Sequence, residues 1–280
     1  MKRTDLLPTL LAAVLAAPAC KKDGAASTTP PAEEGQDAAA TSADDEPEDP
    51  PQDPDPAELT AAFETYLRGD PQAVVASLEP AIAGWTGDGK IRARAMGQAL
   101  LALARAEDVV EQAQSHAEAA VAEAGRLHDP QVTALARAAA GVYALGVEDF
   151  DTAVTELSAA AEAQAPAATR ALVSILLGQA LIGRAYGPGG GSKLQNPEDL
   201  DRAKDAYAAA LEAAAGSPQA ALLEGRAHEG LAAVAKYQGD HDALCEHARA
   251  AGERLAAGDA TDRLAEGPRL LAEAGRCTDG

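Results

Sequence analysis

The residues best equipped for chemistry in this 280-residue chain lie in three short stretches. HDALCEH, at 241–247, carries two imidazoles and a thiol. His241 and Cys245 are four residues apart and share a helical face, where one zinc ion could meet both. A structural zinc site takes four protein ligands and a catalytic one three. His116, His128 and His228 stand singly elsewhere, so no metal site is expected and the histidines read as surface or packing residues. GPGGGSK, at 187–193, has the glycines of a phosphate loop without its order. Ser192 precedes Lys193 and Leu194 follows, whereas that loop sets glycine before the lysine and a hydroxyl after it. It reads as a flexible insertion. The third stretch ends at Cys20, which closes an apolar run. No nucleophile elbow, HExxH helix or dinucleotide loop occurs, and the carboxylates fall on polar helical faces. The expectation is a protein that is not an enzyme, with no catalytic residue, no cofactor and no small-molecule substrate.

The elements that would carry these residues are helices. Aromatic residues make up only 3% of the chain and alanine is abundant, which disfavours strands and suits close helix packing. From Leu59 onward apolar positions step by three and four, as in Val132, Leu135, Ala139, Val142 and then Phe150, Ala153, Leu157, Ala160. Between those two helices lies the breaker Leu145-Gly146-Val147-Glu148-Asp149, so the unit is a helical hairpin. Leu200, Ala203, Tyr207 and Ala210 repeat the second-helix set at a constant offset of 50 residues. Outer units are readable around Gly69-Asp70-Pro71, across 91–124 and across 222–255, with a terminal segment at 262–276 broken at Gly267-Pro268. Trp85, after the first hairpin, reads as a packed anchor.

The formal charge is −21 and is acidic throughout the chain beyond the N-terminal stretch: residues 1–19 carry +1, 20–57 carry −9 and 58–280 carry −13. Such a surface repels phosphate backbones and anionic headgroups, which excludes nucleic acid as the expected partner. Residues 20–56 contain almost no large apolar side chain and are dense in Pro, Asp, Glu, Ser and Thr, so they are expected to form a disordered, extended tether.

MKRTDLLPTLLAAVLAAPAC has the cationic head, short apolar run and small residues of a signal peptide, assigned to 1–19. The apolar run is too short to span a bilayer of about 30 Å. LAAPAC resembles the lipobox of bacterial lipoproteins, although Ala17 stands where that family has leucine. The resemblance implies that Cys20 receives a diacylglyceryl group and becomes the first mature residue, anchoring the exported protein to the bacterial cell envelope, at the outer membrane facing the periplasm or the surface. Cys245 and Cys277 then remain as an even pair in an oxidising compartment, either joined as a disulfide or left as free buried thiols.

The hairpins resemble the tetratricopeptide repeat (TPR). The first-helix glycine of that family matches Gly141 and Gly178, the second-helix alanine matches Ala153 and Ala203, and the aromatic after it becomes Leu157 and Tyr207. The terminal proline falls near Pro166 and Pro218, and the family's tryptophan is absent. The implied architecture is an all-α solenoid of about five TPR-like hairpins over residues 57–280, with a C-terminal capping helix and an insertion loop at 187–197. The family's partner groove maps to Leu135, Val142, Leu172, Ile175 and Gln179, which would suit an amphipathic helix of another envelope protein or peptide. Since ALVSILLGQALIG is apolar nearly all round, the same residues could simply be buried. Three readings follow: a membrane-tethered interaction scaffold, an accessory subunit of an outer-membrane assembly complex, and a structural spacer without a specific ligand.

Overall fold

In the computed structural model, the residues described are 49–189 and 193–277. The signal peptide, Cys20, the tether as far as residue 48 and residues 190–192 of the insertion lie outside them. The described chain is all-helical. Its helices are α1 (Ala57–Leu67), α2 (Pro71–Gly84), α3 (Ile91–Ala106), α4 (Val110–Ala124), α5 (Pro130–Gly146), α6 (Phe150–Glu162), α7 (Ala167–Tyr186), α8 (Glu198–Ala214), α9 (Ala220–Gln238), α10 (His241–Ala257) and α11 (Asp262–Gly275), with a 3₁₀ turn at Asp88–Lys90.

Each odd-numbered helix from α1 to α9 packs against the even one that follows it, and α1, α3, α5, α7 and α9 each contact the next odd helix. The odd helices therefore form a continuous inner row and the even ones an outer row. Inner helices are buried on more of their circumference: α7 buries twelve of its residues, from Thr169 to Ala185, whereas α6 buries five. The near-uniform apolarity of α7 is the sequence counterpart of that position.

The breakers work by a repeated local mechanism. Gly69, Glu148 and Gly239 adopt positive φ, which ends the preceding helix, and the aspartate that follows caps the next one. Asp70 accepts from Ala73 N–H at 3.0 Å, Asp149 from Thr152 N–H at 3.2 Å and Asp240 from Ala243 N–H at 3.1 Å. A cap of this kind contributes about 1 kcal/mol. Asp129 likewise caps α5 ahead of Pro130, whose missing N–H costs nothing in the first turn.

Within a hairpin, two helices of equal rise bring together residues equidistant from the turn. A Cβ built at Gly141 would lie 2.6 Å from Leu157 Cγ, one at Gly178 2.6 Å from Tyr207 Cζ, and one at Gly225 2.7 Å from Leu255 Cγ. Three hairpins thus share one device, a glycine on the inner helix that receives a large side chain from the outer helix. Trp85 packs in the same manner over Gly97, where a Cβ would meet its ring at 2.8 Å.

The terminal segment departs from expectation, because α11 continues through Gly267-Pro268 instead of breaking there. Pro268 removes one N–H and crowds the Leu264 carbonyl. Burial of Leu264, Gly267, Pro268 and Leu271 along one stripe offsets that cost.

Candidate functional site

The helical stack closes on itself, and its most unusual chemistry lies at the seam. The Thr261 N–H, between α10 and α11, donates to Arg68 O at 2.9 Å, and the Thr261 hydroxyl donates to Gly69 O at 3.2 Å. These bonds join the last helices to the α1–α2 turn. Beneath them the Arg226 guanidinium of α9 lies over the Tyr66 ring of α1, 5.2 Å from its centroid. Glu107, after α3, accepts from Arg263 of α11 at 3.2 Å and faces Arg226 at 4.0 Å. Arg226 and Glu229 are only 5% and 6% exposed. Arg226 Nε and Nη1 and Glu229 Oε2 have no protein partner within hydrogen-bond distance.

Burial dominates the electrostatics here. It pushes the Glu229 carboxyl up to about 7 against the opposing pull of Arg226, and it raises Glu107 although Arg226 and Arg263 both favour the carboxylate. It also raises Tyr66, with the Glu107 charge adding to the effect. The half-open space lined by Gly69, Glu107, Arg226, Glu229, Arg263, Leu264 and Gly267 leaves about 20 Å³ to the centre of a water molecule. That is room for one water and far below a pocket for an organic ligand. The cluster adds buried charge to the contacts that hold the two ends of the stack together.

The groove positions lie inside the protein. Leu135, Val142, Leu172 and Ile175 are at most 8% exposed and belong to the main core, while Gln179 is half-buried. Stacking of each inner helix between two others covers these faces, so they present no open groove to a partner helix.

HDALCEH divides three ways. Cys245 Sγ is bonded to Cys277 Sγ, with Cα atoms 5.4 Å apart, tying α10 to the second residue beyond α11. His241 Nε2 lies 2.6 Å from Gly275 O at the end of α11. His247 faces His228 of α9. Both rings are shifted down, by burial first and, at His228, by the neighbouring His247 as well. Sequence reasoning missed this pair. Their spacing gave no signal, since His228 lies eleven residues before Gly239 and His247 seven after Asp240.

The described part of the insertion folds back on α7. Gln195 and Asn196 donate their backbone N–H groups to Ala185 O at 2.7 and 3.2 Å, and the Asn196 side chain donates to Arg184 O at 3.1 Å. These bonds satisfy carbonyls at the end of α7.

Residues 49–56, assigned from sequence to the tether, lie along the helical domain. Asp49 accepts from the His128 N–H at 2.8 Å. The Gln52 side chain accepts from the Arg92 N–H at 2.9 Å, and its amide donates to Asp88 O at 3.2 Å. Asp53 donates its N–H to Gly89 O at 2.9 Å and pairs with Lys90 at 3.2 Å, while Asp55 pairs with Arg92. An acidic, proline-punctuated extended segment thus lies against Lys90, Arg92 and His128. Comparison of the whole chain with protein-family models, with curated proteins and with solved structures gives no match.

Proposed function

We propose that this chain is an exported lipoprotein of the bacterial cell envelope, held at a membrane through Cys20, and that its TPR-like hairpins form a non-catalytic scaffold for another envelope protein or peptide. The observation that carries the scaffold reading is the seating of residues 49–56 on Lys90, Arg92 and His128, because backbone and side chains there engage an extended acidic segment in a defined register. A strip that holds its own tether offers the same donors to a partner segment of similar chemistry. With Leu135, Val142, Leu172 and Ile175 buried, the partner surface in this reading moves from the groove to the strip. The Cys245–Cys277 bond supports export, since disulfides persist in oxidising compartments.

Co-purification from detergent-solubilised envelopes tests the proposal. A stoichiometric partner is expected with the native chain and should be lost or weakened with Lys90→Glu at unchanged helical content. Recovery of the native chain alone would overturn the scaffold and leave the spacer reading, which the closed seam and the buried groove positions favour.

A further inference from the structure

The fifth hairpin brings two imidazoles together from different helices. His228 Nδ1 of α9 lies 3.2 Å from His247 Nδ1 of α10, with ring centroids 5.3 Å apart and planes inclined by 29°. Both side chains are half-buried, so the pair is anchored by packing and still reachable by solute. A tetrahedral ion with metal–nitrogen bonds of about 2.0–2.1 Å holds its ligand nitrogens about 3.3 Å apart, and two adjacent ligands of a square-planar ion sit about 2.9 Å apart. The observed separation falls between these two geometries. Chelation would replace this ring-to-ring hydrogen bond by turning both rings so that their lone pairs converge on one point.

Burial keeps both rings neutral, the form that binds a metal, and the charges around them are of both signs. Glu224 lies one turn before His228 on α9 and is engaged by Arg254 Nε at 3.1 Å. Glu246 on α10 and Asp240 in the turn also bring negative charge toward the rings, against Arg254 and Lys204. The Cys245–Cys277 bond, two residues before His247, fixes α10 and so limits the rotational freedom the site must lose.

We propose that His228 and His247 chelate one divalent transition-metal ion of borderline softness, Zn²⁺ or Cu²⁺, clipping α9 to α10. Each imidazole binds through Nδ1 as the tautomer that carries its proton on Nε2. No group of three or more His, Cys, Asp or Glu side chains converges on a metal position among the described residues, so the protein supplies two donors and water completes the shell. A two-donor site binds more weakly than a closed four-ligand site and selects imidazole-preferring ions over Mg²⁺ and Ca²⁺.

The test is calorimetric titration of the whole, disulfide-bonded chain with Zn²⁺ and Cu²⁺, together with electron paramagnetic resonance of the Cu²⁺ form. One equivalent should bind with a dissociation constant below about 100 µM, and the resonance spectrum should carry coupling to two imidazole nitrogens. His228→Gln and His247→Gln should each weaken binding by about tenfold or more, while His241→Gln should leave it unchanged. Resonance on the native protein reports the ligands directly, so the test stands even if a variant folds poorly. Absence of saturable binding, a spectrum with one or no imidazole nitrogen, or binding that survives both substitutions would overturn the proposal.

Discussion

Tyr207 is held between two glycines, and replacing either one should reverse the usual sign of a Gly→Ala change in a helix. In an exposed helix interior that change stabilises by about 0.8–1.0 kcal/mol, because alanine loses less backbone entropy. Here a Cβ at Gly178 of α7 would lie 2.6–2.8 Å from Tyr207 Cζ, Cε2 and Cε1, and one at Gly230 of α9 would lie 2.2 Å from Cε1 and Cζ. Tyr207 is 1% exposed, so moving away from one glycine drives it into other packed atoms. Overpacking of this kind costs about 1–3 kcal/mol, which exceeds the propensity gain. Gly178→Ala is expected to destabilise by about 1 kcal/mol and Gly230→Ala, with the closer approach, by about 2 kcal/mol. In a Tyr207→Leu background the ring atoms responsible for the overlap are gone, and both changes should become neutral or stabilising. Urea unfolding followed by helical circular dichroism measures each corner of the double-mutant cycle, with a coupling of about 2–3 kcal/mol expected for Gly230. If Gly230→Ala stabilised the native protein, or if its effect were the same in both backgrounds, the glycine-and-knob account of hairpin pairing would be refuted.

Glu229→Gln should change the pH dependence of stability. The folded carboxyl titrates near 7 against an ordinary 4.5, so its contribution is fully present below 4.5 and is lost as pH rises toward 7. The variant should be more stable than the native chain at pH 8 by about 2–3 kcal/mol and no more stable at pH 4, read from urea midpoints with a chelator present. Cys245→Ser with Cys277→Ser should lower stability by about 3–4 kcal/mol, the loop-closure value for a separation of 32 residues, as measured by urea unfolding without reductant. An unchanged midpoint would mean that α11 unfolds separately from the rest. Cys20→Ser should abolish palmitate labelling and release the protein from the membrane fraction. Shortening the insertion between Gly187 and Gln195 to a four-residue turn, with Gln195 and Asn196 kept to satisfy the end of α7, should leave the thermal midpoint nearly unchanged. A marked drop would show that the loop packs into the stack.

The helices and their pairing were legible in the sequence because both are set over short distances. Periodicity of three and four residues follows from the backbone hydrogen-bond ladder, and each breaker carries its own turn and cap, as at Gly69-Asp70, Glu148-Asp149 and Gly239-Asp240. The repeat resemblance singled out Gly141, Leu157, Gly178 and Tyr207, and the structure pairs Gly141 with Leu157 and Gly178 with Tyr207 because antiparallel helices rise equally from their shared turn. Pro268 shows where local rules give way, since burial of the α11 stripe carries the helix through a residue that ordinarily interrupts it. Only the tertiary structure decided that Leu135, Val142, Leu172 and Ile175 are core residues, that residues 49–56 return to the helical domain, and that His228 meets His247. The same holds for the seam. Gly69 and Thr261 are 192 residues apart in sequence, and their contact depends on small inter-hairpin rotations accumulated over the whole stack, a quantity that no single residue or motif encodes.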